Sequence, residues 1–164
     1  MDEKDRLLLT LLEEDSRTPA VELADMVDLT EDEVVQRMHR MEHLGIIRKY
    51  TTLIDWEKAG DGEVNAIVEL KVAPERNFGY DKIAERIAGF KQVKSLHLIS
   101  GVYDLEIMVT GKNIHEVTRF VSEQIAPMDH VRETATILIM KTYKENGYLY
   151  FERKEGERLP YSSF

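Results

Sequence analysis

The sequence predicts an α+β protein, with a helical N-terminal unit followed by a ferredoxin-like βαββαβ unit. Three observations carry this. Apolar residues recur at helical spacing through the first fifty positions. From Val64 they alternate with other residues, as in a strand with one buried face. Between the two regimes lies the turn-rich joint Ala59-Gly60-Asp61-Gly62. A length of 164 residues accommodates two small domains.

The helical part starts at Asp2, a good N-cap, ahead of Leu7, Leu8, Leu11 and Leu12, and should end near Asp15–Arg17. A second helix is expected from Thr18-Pro19, with Thr18 capping and Pro19 at the first helical position. It turns Leu23, Ala24 and Val27 inward and stops at Asp28-Leu29. Thr30-Glu31-Asp32-Glu33 matches a capping box and opens a third helix. This helix places Val34, Met38, Met41 and Leu44 on one face and ends at Gly45. An extended segment then reaches Ile54.

In the second part, Val64–Val72 reads as a strand and Phe78–Phe90 contains a helix with Ile83, Ala84 and Ile87 inward. Val93–Ser100 and Tyr103–Thr110 form a hairpin about Gly101. Asn113 caps a helix carrying Ile114, Val117, Phe120, Val121 and Ile125, and Val131–Tyr143 is the last strand. Both helices on one face of the sheet leave the other face bare, and its apolar residues need a partner. The charged, aromatic tail from Lys144 to Phe164 is expected to be a further strand or a loose end.

Composition narrows the chemistry. Without cysteine there are no disulfides, thiolate metal sites or cysteine nucleophiles. No serine or histidine sits in a catalytic arrangement, and no phosphate-cradling glycine loop is present. His39 and His43 have the spacing of two metal ligands, but no third lies nearby in sequence, and His97, His115 and His130 are scattered. No catalytic residue, cofactor or metal is therefore expected. The apolar runs are too short for a signal peptide or a membrane span, so a cytoplasmic location without membrane contact is expected.

At the level of motifs, the stretch DRLLLTLLEEDSRTPAVELADMVDLTEDEVVQRMHRMEHLGIIRKY resembles the N-terminal half of the Lrp/AsnC, or feast/famine, family. SGVYDLEIMV is similar to that family's G-x-Y-D turn, and VRETATILIM to its final strand with paired threonines. Each fragment alone is a weak signal; their order and spacing together are a strong one. The resemblance spans roughly residues 2–143. It implies a helix-turn-helix DNA-binding domain over residues 1–49, a linker strand and hinge over 50–62, exchanged between protomers, and an effector-binding, oligomerising RAM-type domain over 63–143. The tail is 144–164. Expected partners are double-stranded DNA, further copies of the chain (a dimer, or a tetramer or octamer) and an amino acid or related effector.

In a helix-turn-helix the second helix of the motif enters the major groove. The candidate DNA contacts are thus Thr30, Gln36, Arg37, His39, Arg40 and His43, with Arg17, Arg48 and Lys49 flanking them. Arg suits guanine or phosphate and Gln suits adenine. The alternative is a solvated helix face with pairs such as Glu33–Arg37. Candidate effector contacts are Ser100, Gly101, Val102, Tyr103 and Asp104, with hydroxyls from Thr134 and Thr136. There the alternative is a hairpin turn with Tyr103 packed and Asp104 holding a backbone N–H.

Charge stands against this picture. Net charge is −9, and residues 1–50 hold seven basic and thirteen acidic side chains, a net −6. The family's small polar residues at the start of the recognition helix are here Glu31-Asp32-Glu33, and its turn glycine is Asp28. Two further functions stay open: a metabolite-binding oligomer with weak or no DNA binding, and an enzyme resembling sirohaem decarboxylases. The latter needs a basic tetrapyrrole cleft, and no dense Arg/His cluster is present.

Overall fold

In a computed structural model, residues 1–151 are described. They form two compact units that divide between Ile54 and Asp55.

The first unit holds three helices: α1 (Glu3–Glu14), α2 (Ala20–Val27) and α3 (Glu31–His43). Asp2 caps α1 by accepting the Asp5 N–H, and Thr30 caps α3 by accepting from Glu33. The cap of α2 differs from expectation. Pro19 occupies the cap position, while the Thr18 hydroxyl donates backward to the Asp15 carbonyl at 2.9 Å. Asp28 ends α2 in the left-handed conformation, φ 52°, which Asp tolerates better than most residues. Leu8, Leu23, Val34 and Met41 fill the core with Leu12, Ala24 and Val27. Burying each large side chain is worth about 1.5–3 kcal/mol, and these contacts, rather than local propensity, hold such short helices. Leu44 is not part of this core: it is 66% exposed, because α3 ends at His43 and the chain turns away at Gly45, φ 67°. The segment after Ile47 is extended but pairs with no strand. Five residues do not hold as a strand without a neighbour, and the described residues of the chain offer none.

The second unit begins with a short helix, α4 (Trp56–Ala59), and continues β1 (Val64–Val72), α5 (Asp81–Ala88), β2 (Val93–Leu98), β3 (Leu105–Gly111), α6 (Ile114–Phe120) and β4 (Val131–Leu138). The sheet order is β2-β3-β1-β4 with every neighbour antiparallel, which is the split βαβ arrangement. Alternation along β1 buries Ala66, Val68, Leu70 and Val72 against Ile83 and Ile87 of α5 and Val117 and Phe120 of α6. A π-helical turn, Val121–Ile125, extends α6. The last strand stops at Leu138, short of Tyr143. The tail then makes a small hairpin, β5 (Lys144–Glu145) and β6 (Tyr148–Leu149), turned by Asn146-Gly147 with both φ positive. Tyr161 and Phe164 lie outside the described residues.

The open sheet face is less apolar than expected. The β1 residues that alternate with its buried set are Asn65, Ile67, Glu69 and Lys71. Their register partners are Thr110, Met108 and Glu106 on β3, and Ile137, Ala135 and Glu133 on β4. An apolar centre of Ile67, Met108 and Ile137 is thus bordered by three carboxylates.

Candidate nucleic-acid interface and effector loop

The interface is set by how α3 is anchored. Asp5 of α1 is 1% exposed, yet it is ionisable and must be paired. Its carboxylate accepts from Arg37 at 2.8 Å, from Arg40 at 2.7 Å and from the Asp2 N–H at 3.0 Å. Arg37 also donates to Asp2 at 2.7 Å. Burial alone would push the Asp5 carboxyl up, but these donors outweigh it and hold it below the usual carboxylate value. Asp2, bonded chiefly by Arg37 and then by the Asp5 N–H, is lowered to about 2. Arg37 is raised further above its ordinary value by the same carboxylates.

Two candidate DNA contacts are therefore also structural. The Arg37 side chain is only 25% exposed and both its partners are carboxylates, so it does not stand on a free polar face. Arg40 is half-exposed and tied to Asp5 through one nitrogen. The Thr30 hydroxyl is engaged within the capping box, donating to Glu33 at 2.9 Å and accepting its N–H. Those bonds lower the Glu33 pKa, with the Thr30 backbone N–H as the largest cause. Gln36, His39 and His43 are exposed on α3, as are Arg17, Arg48 and Lys49 in the flanking segments. His39 approaches Glu42 at 3.1 Å, and Glu42 also accepts the Tyr50 hydroxyl at 2.8 Å. Partial burial, and then that bond, push Tyr50 up to about 12. Val35, exposed beside Gln36 and His39, escapes a sequence search for polar contacts. The angular distance from the buried pair Val34 and Met41 is the signal that finds it.

At the effector loop, Asp104 has the role of a hairpin lock. Its carboxylate accepts the Val72 N–H at 2.8 Å and the Tyr80 hydroxyl at 3.4 Å, with Lys71 at 3.7 Å. Lys71 also donates to the Val102 carbonyl. Tyr103 donates to Glu133 at 3.2 Å, which raises the Tyr103 pKa. Ser100, Gly101 and Val102 are exposed at the hairpin tip. Thr134 and Thr136 stand opposite Leu70 and Val68, on the helix side of the sheet, whereas Glu133 faces the open side. One chain thus does not bring the two threonines and the Tyr103 hydroxyl onto one face. A cavity of about 270 Å³ lies elsewhere, between Phe90, Gln92, Arg119 and Glu123 near the end of β3 distant from this loop. Among the described residues, no three His, Asp or Glu side chains come together as metal ligands.

A capped three-helix unit followed by a βαββαβ unit is the plan of a class of two-domain proteins that includes transcription regulators. The AsnC-type helix-turn-helix domain model matches residues 1–42 and the Lrp/AsnC ligand binding domain model matches residues 65–149. The chain belongs to the Lrp/AsnC family. It is 36% identical over 158 residues to the uncharacterized HTH-type transcriptional regulator YugG of Bacillus subtilis, covering 96% of this chain and 95% of that protein. The crystal structure of PH0061 superposes with a TM-score of 0.76 at 29% identity, over 88% of this chain and 96% of that one. The complex of the regulator NMB0573 from Neisseria meningitidis with L-Met shares the fold, with a TM-score of 0.72 at 21% identity, over 88% of this chain and 93% of that one.

Proposed function

We propose that this regulator binds DNA as a homo-oligomer and that an amino acid or a close relative shifts its assembly or its affinity. The observation that carries the proposal is the presence in one chain of a helix-turn-helix and a ligand binding domain of the same family. The L-Met complex of the fold neighbour supports the effector class. The hairpin tip Ser100–Val102 offers exposed backbone for a carboxylate. Asp104 would receive an amino group only by giving up Lys71, so it acts mainly by shaping the loop. Thr134 and Thr136 would join that site from the helix side of the sheet or from another copy. The open sheet face, with Ile67, Met108 and Ile137 at its centre, supports self-association. No helix among the described residues is long and apolar enough to cross a membrane, and we place the protein in the cytoplasm. Nothing in the site calls for catalysis.

The test is a melting series of the full chain against single amino acids, with light scattering on each sample. A ligand at one hundred times its Kd should add about 2.7 kcal/mol of stability. It should also change the mass distribution. No shift with any amino acid would remove that effector class.

A further inference from the structure

The cavity of about 270 Å³ opens within the second unit, between α6 and the turn that leads from α5 into β2. That turn contributes Phe90 and Gln92, and the Thr110 N–H ties it to the sheet by donating to the Gln92 carbonyl at 3.0 Å. α6 contributes Glu116, Arg119 and Phe120, and the π-helical turn after it contributes Glu123. The hairpin tip lies past the other end of β3, about 20 Å of strand away, so the two places are separate.

Helical spacing brings charges of both signs to the cavity. Glu116 stands three residues before Arg119 and Glu123 four residues after it, positions that are neighbours on a helix surface. Ion pairs would be ordinary there. Among the described residues, however, no hydrogen bond or ion pair engages the side chain of Arg119 or Glu123. Two local facts account for this. Glu116 accepts the Lys112 N–H at 2.9 Å, which turns its carboxylate toward the start of α6. Arg ahead of Glu is the weaker order for a pair four residues apart. The wall between the charges is apolar: Phe120 is 5% exposed, and its ring meets Phe90 edge to face at 5.3 Å. An independent sign comes from the backbone. The Ala126 N–H reaches the Val121 carbonyl, five residues back, at 2.8 Å. Such π turns are rare and occur frequently at functional sites, and this one carries Glu123.

We infer that this cavity is a second small-molecule site, one that takes an apolar α-amino acid within a single chain. Arg119 receives the carboxylate, Glu123 the ammonium, and Phe90 and Phe120 the side chain. The lining selects this class. A plain anion would face Glu116 and Glu123, and a plain cation would face Arg119; a zwitterion satisfies both signs. The planar fork of a guanidinium matches a carboxylate, and charge-assisted bonds of this kind are the strong ones. The Gln92 amide can donate or accept at the rim. The volume falls below the roughly 300–1,000 Å³ of pockets for drug-sized ligands, which suits a single amino acid. The inference rests on the reading of the protein as a regulator that responds to an amino acid, and it gives that response a place that needs no second copy.

The test is titration calorimetry on the full chain. The probes are L-leucine, L-methionine and L-phenylalanine, each with its amide, which lacks the carboxylate, and its 2-hydroxy acid, which lacks the ammonium. The parent should bind at least one of the three amino acids about tenfold more tightly than either analogue. R119M should weaken that binding about tenfold and no longer distinguish the amino acid from its amide. E123Q should weaken it similarly and no longer distinguish the amino acid from the hydroxy acid. A merely structural role for either side chain would not erase the preference for one group of the ligand. Both positions are exposed, and far-UV circular dichroism confirms that the variants are folded. Any further class of binding, at the hairpin, should be the same in all three proteins. Preferences that survive in both variants overturn this site and leave the response to the hairpin. Binding of none of the three probes, while another L-amino acid binds, overturns the site and leaves the effector reading intact. Binding of none of the twenty L-amino acids overturns both.

Discussion

Asp5 is the polar side chain on which the helical unit most depends. Removing it takes the carboxylate from Arg40 and leaves the partly buried Arg37 with Asp2 alone. Asp5→Ala should lower the unfolding free energy by about 3 kcal/mol, the size expected when one partner of a buried charge cluster is lost. Urea unfolding of the full chain, followed by helical circular dichroism, measures it. The pH dependence has a defined sign. The folded pKa of Asp5 lies below its unfolded value, so its contribution is complete above the unfolded carboxylate value of about 3.9 and is lost as pH falls through the folded one. The urea midpoint should therefore drop below about pH 4 in the parent and drop less in the variant. The sequence does not single out Asp5 from Glu3 beside it. Its burial depends on arginines 32 and 35 positions away, and local patterning carries no information about that pairing.

At the scale of elements, most caps and turns were legible because their chemistry is local, the exception being Thr18, which bonds back to Asp15 instead of capping α2. The capping box of Thr30 and Glu33 and the cap at Asn113 stand where the residues place them. Thr30→Ala should cost about 1 kcal/mol. Asp28→Gly should stabilise the unit by up to about 1 kcal/mol, because the left-handed conformation there carries a penalty for every residue but glycine. Thermal unfolding of both variants checks the opposite signs, and destabilisation by Asp28→Gly would give its side chain, near Lys4, a larger role than the turn. What was not legible is what depends on neighbours. Leu44 fits the apolar stripe of α3 but lies past the point where the helix stays on the core. The 50–54 segment has the composition of a strand and lacks a partner among the described residues. The order of the six main elements of the second unit was readable, whereas the mixed character of its open face appears only once the registers of β3 and β4 bring Glu106 and Glu133 beside the β1 set.

For the whole molecule, the family could be recognised from fragments whose order mattered more than any one of them. The contact residues were less accessible, because Arg37, Arg40 and Asp104 have the residue types of ligand-binding groups and the partners of structural ones. The open sheet face and the unpaired linker both call for another copy of the chain. Light scattering at micromolar concentration should give a mass of at least twice the 19.0 kDa chain. Ile67→Glu, placed among Glu69, Glu106 and Glu133, should shift the mass toward the monomer. The function itself is tested most directly by passing sheared genomic DNA over the immobilised full chain at low salt and sequencing what is retained. A DNA-binding regulator should keep a small set of fragments that share a repeated half-site and release them as salt rises. Retention of no fragment above background, by oligomeric protein at low salt, would contradict that function.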